Sequence, residues 1–320
     1  MTLRRALIVG HFSTIGDVEC LEAVQEWCAA ADLVYDVAPY SKSLQARIAG
    51  AIAPDTATPA RYSHVIIVCG PCYPELLERN GVPLDRFAHC QKIGVNLTLT
   101  KPLSVWNPFD LLIERDSDRA AHPDLTFARK VELKPVVGRC LVKRQREYGD
   151  RQKLELAVSQ IDGLIARHTL PYIDIATDWP GAKDRAVANS TEALSSIISR
   201  VDVLLTNRLH GLVFALKNGV PALAIDGIDG GDKLSAQARV LGWPVCLRAG
   251  EATEQALDEA LAWCLSAEAK EKARAVSATA AETARGMQAL VMPILAQPAK
   301  GEARIEPAGL GALLRRLVRN

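Results

Sequence analysis

The strongest constraint on the fold is a repeated alternation of short apolar runs with helical patterns. Strands are predicted at residues 3–9, 33–37, 65–68, 92–96 and 111–114, with helices near 17–30, 43–52 and 74–80 between them. A second round follows, with strands at 135–142 and 172–176 and helices at 150–167 and 190–200. Short runs that are apolar throughout are typical of strands buried on both faces of a parallel sheet. The pattern predicts an α/β fold of two doubly wound, Rossmann-like domains that face a central ligand cleft.

The same pattern divides the chain into three parts. The N-terminal domain is predicted to cover residues 1–134, the C-terminal domain 135–300, and a tail 301–320. A long helix is expected from 267 to 292, and Pro293 is expected to end it. The tail ends in the basic, amphipathic segment LGALLRRLVR at 310–319. Such a segment either packs on its own protein or makes weak peripheral contact with an anionic membrane.

Composition excludes several classes of protein. Of the 320 residues 49% are hydrophobic, and the formal net charge is only +1. These values argue against a disordered chain and against a nucleic-acid-binding protein. No apolar run reaches the roughly 18 residues of a membrane span, and the N-terminus reads as a core strand, not a signal peptide. The eight Cys are scattered in apolar surroundings. We therefore expect a cytoplasmic protein without a membrane span. No set of His, Cys and Asp residues has metal-ligand spacing, so no metal site is expected.

The second domain contains a strand-helix-strand unit at residues 201–226, which reads VDVLLTNRLHGLVFALKNGVPALAID. Arg208 and His210 follow its first strand directly, at the strand end where α/β sheets bind ligands and helix N-termini attract anions. Arg presents a fork of donors that matches a phosphate or carboxylate, and His moves a proton near neutral pH. The pair predicts an anion site. The alternative is structural, with Arg208 paired to a nearby Asp and His210 capping the helix.

This unit resembles the signature of a known family. The block Thr-Asn-Arg-Leu-His-Gly at 206–211, the turn Asn-Gly-Val-Pro at 218–221 and the downstream Lys233 resemble the polysaccharide pyruvyltransferase family. Two weaker matches precede it. Gly16-Asp17 resembles the family's N-x-G-D loop, with Thr in place of the usual Asn, and Arg115-Asp116 resembles its R-D-x-x-S step, with the Ser too close to the Asp.

The resemblance implies an activity and an architecture. Members of that family transfer a pyruvyl ketal from phosphoenolpyruvate to a sugar of a polysaccharide or glycan. The acceptor would be a glycan or a lipid-linked sugar, and no cofactor would be required. The resemblance also implies the two-domain plan of GT-B glycosyltransferases, with the acceptor on the N-terminal domain and the donor on the C-terminal domain.

Candidate site residues follow from this hypothesis. His210 is the expected general acid, because an imidazole titrates near working pH. Arg208, Leu209 and Lys233 are expected to bind the donor. Arg115, a cationic residue of the N-terminal domain, is expected to complete the donor site.

Three further candidates remain open. Arg139 competes with Arg115 for the role of second cation. Gly16 and Asp17 belong either to a cleft or, in the case of Asp17, to the cap of the first helix. Cys69 and Gly70 line the cleft or form part of a C-x-x-C dithiol that ends at Cys72.

Two other functions fit the same residues. A sugar-nucleotide-dependent glycosyltransferase shares the two-domain plan, and its donor also carries phosphate. A non-catalytic protein, or a redox protein that uses Cys69 and Cys72, is the second alternative. The loops at 98–106 and 178–183 are expected to choose the acceptor, with Trp106 and Trp179 available to stack on a sugar ring.

Overall fold

The computed structural model describes residues 4–178, 188–230 and 233–297. The chain divides into two compact units between Glu132 and Leu133, two residues before the boundary expected between residues 134 and 135. Within the described residues, no helix is long and apolar enough to cross a membrane. The tail at 301–320, Trp179 and most of the predicted acceptor loop at 178–183 lie outside the described residues.

The first unit is a parallel five-stranded sheet with helices. Its strands are β1 Arg5–Gly10, β2 Val34–Pro39, β3 His64–Cys72, β4 Gln91–Leu99 and β5 Leu111–Asp116. Its helices are α1 Ile15–Ala30, α2 Lys42–Gln45 and α3 Pro74–Arg79. The strand order is β2-β1-β3-β4-β5, and every pair is parallel.

The second unit repeats this plan. Its strands are β6 Val137–Cys140, β7 Tyr172–Asp174, β8 Val203–Thr206, β9 Ala222–Asp226 and β10 Cys246–Arg248. Its helices are α4 Leu154–Arg167, α5 Thr191–Ile198, α6 Leu209–Lys217, α7 Lys233–Val240, α8 Glu254–Cys264 and α9 Ala267–Leu295. The order is β10-β9-β8-β6-β7, again all parallel.

Both sheets are doubly wound with the same strand order. In each, the second strand in sequence lies on one side of the first, and the third, fourth and fifth follow on the other side. The winding therefore reverses beside the first strand, between β1 and β3 and between β6 and β8. In open parallel sheets, ligands bind outside the carboxyl ends of the strands at this reversal. The predicted α/β fold class of two doubly wound sheets is confirmed.

Burial on both faces explains why the strands are apolar throughout. In β1, Leu7 and Val9 belong to one buried cluster, whereas Ala6 and Ile8 belong to another. Alternate side chains of a strand point to opposite faces, so each face has its own core. In the second unit, β8 is buried over its whole length.

Three helix boundaries differ from the prediction. The helix expected at 43–52 ends at Gln45, because Gly50 has φ +73° and the N–H of Ile52 donates to Val37 O at 2.9 Å. The helix expected from 150 begins at Leu154. Pro293 lies inside α9 and does not end it. Proline has no backbone N–H, so one carbonyl of the preceding turn lacks its helical partner; this turn is exposed, and water can bind the carbonyl instead.

Candidate active site

Buried contacts define the β8–α6 corner. Thr206 is the last residue of β8 and is fully buried, and its hydroxyl donates to Cys140 O at 2.7 Å. Arg208 caps α6 with an extended backbone. At Gly211, a Cβ would overlap the Thr206 hydroxyl and would lie 2.9 Å from Thr206 Cβ. The Gly of the Arg-Leu-His-Gly block is therefore required because helix and strand approach each other closely.

Asn207 joins the loops that follow β6 and β8. It is 5% exposed, its Oδ1 accepts from Val142 N at 2.7 Å, and its Nδ2 donates to Val142 O at 2.7 Å. These two loops leave neighbouring strands at the point where the winding of the second sheet reverses. Asn207 thus fixes the position of one loop relative to the other. No sequence motif marks this role, and the available signal is the place of Asn207 between the strand and Arg208.

Arg208 forms a two-point ion pair. Its Nη1 and Nη2 each donate to a carboxylate oxygen of Asp178 at 2.6 Å. This hydrogen bonding raises the pKa of Arg208 and lowers the pKa of Asp178. The structural alternative for Arg208 is therefore present in this structure. An anion that used the guanidinium fork would have to compete with Asp178.

Four residues predicted for the active site line one small cavity of about 80 Å³. They are Arg208, Leu209, His210 and Lys233. Lys233 also lies over the ring of Tyr148, with Nζ 5.5 Å from its centroid. His210 is exposed, and within the described part of the chain its imidazole has no hydrogen-bond or ion-pair partner.

One acidic side chain also lines this cavity. Asp226 ends β9 and is 2% exposed. Its carboxylate accepts from Ile228 N at 3.0 Å and from Ser235 N at 3.2 Å, and it also accepts from the Ser235 hydroxyl. Asp226 thus fixes the start of α7, which carries Lys233.

Arg139 lies outside this cavity. Its Nε donates to Asp174 at 2.6 Å and its Nη1 donates to Asp162 at 2.5 Å, while its guanidinium stacks on Tyr172 at 4.5 Å. The hydrogen bond to Asp174 is the largest of the effects that raise the pKa of Arg139. The structure thus gives Arg139 an ion-pair role at the β6–β7 edge and does not place it at the predicted donor site.

Arg115 belongs to the first unit. Its Nε lies 3.2 Å from Asp116, its Nη1 lies 3.5 Å from Asp124, and its Nη2 donates to Thr98 at 2.6 Å. The guanidinium is held at the carboxyl end of β5 by two carboxylates and a hydroxyl. The role of Arg115 as a second donor-binding cation stays a prediction.

Asp17 has a capping role in the first unit. Thr14 is the N-cap of α1, and its side chain accepts from Asp17 N at 3.1 Å. Asp17 in turn accepts from the N–H groups of Ser13 at 3.1 Å and Thr14 at 3.0 Å. The two residues form a capping box, so Asp17 caps from the third helical position and not as the N-cap itself. Gly16 lies in the first turn of the same helix.

The dithiol hypothesis for Cys69 and Cys72 is wrong. Both residues lie in β3, and they belong to the two separate cores on opposite faces of the sheet. Burial raises the pKa of both thiols, whereas a reactive dithiol needs an activated thiolate. Cys69 has φ +63° and Gly70 has φ +76°, so the backbone bends at this point of β3. Among the described residues, no group of His, Cys, Asp and Glu could hold a metal ion.

The fold and the cavity define an α/β protein with Arg, His and Lys side chains at one small cavity. Residues 123–229 match the family model described as polysaccharide pyruvyl transferase. This stretch contains the whole β8–α6 corner and ends just before Lys233. The family resemblance drawn from the sequence is confirmed there, and the match supports a transferase of polysaccharide biosynthesis. No curated protein matches the chain significantly.

Solved structures of glycosyltransferases match the chain with low similarity. The glycotransferase of kitacinnamycin is 12% identical and covers 86% of this chain and 94% of its own, with a TM-score of 0.31. SnogD from Streptomyces nogalater is 15% identical and covers 90% and 100%, with a TM-score of 0.29. A TM-score near 0.3 does not establish a common arrangement, so the fold class rests on the order and direction of the strands themselves.

Proposed function

We propose that this protein transfers a pyruvyl group from phosphoenolpyruvate to two hydroxyl groups of a sugar and forms a ketal on a glycan. One observation carries the proposal. Arg208, His210 and Lys233 line a single cavity at the strand ends where the second sheet reverses its winding. Arg208 and His210 lie inside the stretch that matches the family, and Lys233 lies just after it. Two cations and an imidazole are the groups that a phosphorylated, carboxylated donor requires.

The reaction makes two demands on such a pocket. A proton must reach the vinyl carbon of phosphoenolpyruvate, so that positive charge develops at the neighbouring carbon and a sugar oxygen attacks it. The second sugar oxygen then takes the place of the phosphate, the carbon–oxygen bond to phosphate breaks, and inorganic phosphate leaves. Of the two hydroxyl protons, one balances the new methyl group and the other leaves with the phosphate.

His210 suits the proton transfer. Its imidazole is exposed at the first turn of α6, and the contacts of the described residues leave both ring nitrogens available. A positioned imidazole typically contributes about 100-fold to 10,000-fold to a rate. Lys233 and Arg208 would hold the anionic groups of the donor, with Arg208 exchanging Asp178 for the ligand.

The test is acceptor-dependent release of inorganic phosphate from phosphoenolpyruvate, measured with a panel of sugars. His210→Gln should lower the rate at least about 100-fold, because it removes the proton donor and keeps the side chain polar. His168→Gln is the matched control. His168 lies at the end of α4 in the same unit and pairs with Asp258 at 3.0 Å, away from the cavity.

The alternatives give different results. Binding of a nucleoside diphosphate, with no phosphate release from phosphoenolpyruvate for any sugar, would identify a sugar-nucleotide-dependent glycosyltransferase instead. Equal activity of the His210→Gln and His168→Gln proteins would remove His210 from the chemistry. Full activity of Arg208→Lys would show that no two-point contact by this side chain is needed.

A further inference from the structure

The loop after β6 carries two cations that have no partner among the described residues. Lys143 and Arg144 follow the end of β6 by three and four residues, and both are exposed. Within residues 4–178, 188–230 and 233–297, neither side chain makes a hydrogen bond or an ion pair. Most other Arg side chains near the strand ends are paired, as Arg139 and Arg208 are. Two cations in succession without an acidic partner among the described residues leave a local positive charge that attracts an anion.

The fold places this loop beside the proposed active site. The winding of the second sheet reverses between β6 and β8, so the loop with Lys143 leaves the strand next to the one that leads to His210. The bonds from Asn207 hold Val142, the residue before Lys143, at 2.7 Å. Leu154 lines both the cavity at His210 and the cavity at Lys143 and Arg144. The two cavities are therefore neighbours.

Cavity volume indicates that a ligand extends beyond His210. The cavity at His210 measures about 80 Å³, whereas small-molecule sites typically enclose about 300–1,000 Å³. Two neighbouring cavities offer more space, one of about 240 Å³ and one of about 400 Å³. A phosphorylated substrate that contacts His210 and exceeds the volume of its cavity would extend into one of these two spaces.

Charge distinguishes between these two spaces. The 240 Å³ cavity is lined by Asp229 and Glu251, and its cations are already paired, with Lys153 2.8 Å from Asp229 and Arg248 3.3 Å from Glu251. The 400 Å³ cavity is lined by Lys143, Arg144 and Lys153 together with Asp150 and Glu155. Only this second space offers cations without partners among the described residues. An anion is therefore more stable there.

The loop is also held in place before any ligand binds. Lys153 N donates to Gly227 O at 2.6 Å, and Asp229 N donates to Arg151 O at 2.8 Å. Gly149, with φ +52°, provides the turn that brings the loop back to these contacts. Backbone anchoring of this kind lowers the entropy lost when a loop binds a ligand.

We propose that Lys143 and Arg144 form a phosphate subsite that binds the phosphate group of the donor while its vinyl carbon lies at His210. This inference rests on the proposed function for the identity of the donor. The same chemistry would also fit the diphosphate of a lipid-linked acceptor. The two sources are separated by the ligands used in the test.

The test compares ligand affinities of the wild-type protein and of Lys143→Gln/Arg144→Gln by isothermal titration calorimetry. The ligands are phosphoenolpyruvate, inorganic phosphate, pyruvate and geranyl diphosphate, a short-chain lipid diphosphate. Lys272→Gln/Arg274→Gln is the matched control, because it removes the same charges from α9, where neither residue lines any of these cavities. Folding is checked by circular dichroism.

The expected result is a loss of affinity for phosphoenolpyruvate and inorganic phosphate by a similar factor, between about 10-fold and 100-fold, as two charged hydrogen bonds are removed. Affinity for pyruvate, which has no phosphate, should change less than about threefold, and the control variant should bind like the wild type. Raising the salt concentration should weaken wild-type phosphate binding more than that of the double variant.

Other outcomes separate this inference from the proposed function. Unchanged binding of phosphoenolpyruvate by the double variant overturns the subsite and leaves the proposed donor intact. Loss confined to geranyl diphosphate also overturns it, because the loop would then serve the acceptor. Charge-dependent binding of inorganic phosphate without binding of phosphoenolpyruvate supports the subsite and contradicts the proposed donor. Failure of the wild type to bind any of the ligands overturns the subsite.

Discussion

Replacing Asn207 with Ala should destabilise the second unit strongly. The substitution removes two hydrogen bonds of 2.7 Å and leaves both the N–H and the C=O of Val142 without their partner. A buried backbone group left unpaired costs about 1–3 kcal/mol. Val142 is itself half-buried, so water reaches part of the site. We therefore expect a loss of about 2–4 kcal/mol in the free energy of unfolding, out of the 5–15 kcal/mol typical of proteins.

Urea unfolding followed by near-UV circular dichroism measures this effect. Trp243 and Trp263 lie 5.3 Å apart in the core of the second unit and report on its packing. Asn218→Ala is the control, because Asn218 also donates at 2.7 Å, to Phe214 O, but at the half-exposed end of α6. It should cost less than about 1 kcal/mol, since water can replace the lost donor.

A second variant separates the two bonds. Asn207→Asp keeps the acceptor for Val142 N but removes the donor to Val142 O, so it should lose at least half as much stability as Asn207→Ala. If Asn207→Ala costs no more than the Asn218 control, Asn207 does not hold the two loops together and this reasoning is wrong.

Three further predictions follow from particular contacts. Asp178→Asn removes the carboxylate that competes for the guanidinium of Arg208, so it should raise the affinity for phosphoenolpyruvate about two- to fivefold in a calorimetric titration. The effect is modest because one partner of this ion pair is exposed. Asp174→Asn is its control, and weaker binding by the Asp178 variant would mean that this carboxylate positions the Arg. Gly211→Ala should lower the urea midpoint by an amount equivalent to about 1–3 kcal/mol because its Cβ would overlap buried Thr atoms, whereas Gly286→Ala, where a Cβ meets nothing, should be neutral or slightly stabilising. Glu114 is 1% exposed, and the hydrogen bonds from a neighbouring Arg hold its pKa at about 2, below its usual 4.5. Because folding lowers the pKa of Glu114, the ionised carboxylate contributes about 3 kcal/mol to the free energy of unfolding; this contribution is complete above pH 4.5 and is lost as the pH falls towards 2. Glu114→Gln should therefore reduce the loss of stability at acid pH in urea titrations. An unchanged pH dependence would contradict this role of Glu114.

The sequence predicted the fold because the pattern of buried strands is local. Runs such as Val203–Thr206 are apolar on both faces, and their alternation with helices required two doubly wound sheets. The corner of Arg208 and His210 was also predictable, since it follows a strand directly. Boundaries were less predictable where a distant contact decides them. The early end of α2 depends on a hydrogen bond from Ile52 to Val37, which no local pattern indicates.

Partners that are distant in sequence could not be predicted. Asp178 lies 30 residues before Arg208, and its pairing with that side chain depends on how β7 and β8 flank β6. The same holds for Cys69 and Cys72. Their spacing suggested a dithiol, but the two side chains pack into different cores on opposite faces of the sheet.

Mass spectrometry of the product formed in D2O tests the central claim most directly. The protein is incubated with phosphoenolpyruvate and an acceptor sugar, and the methyl group of the product ketal is examined. If His210 delivers a solvent-derived proton to the vinyl carbon, the ketal methyl group carries one deuterium, and His210→Gln forms little of this product. A protein that consumes no phosphoenolpyruvate with any acceptor, or that makes the labelled ketal equally well without His210, would contradict the account.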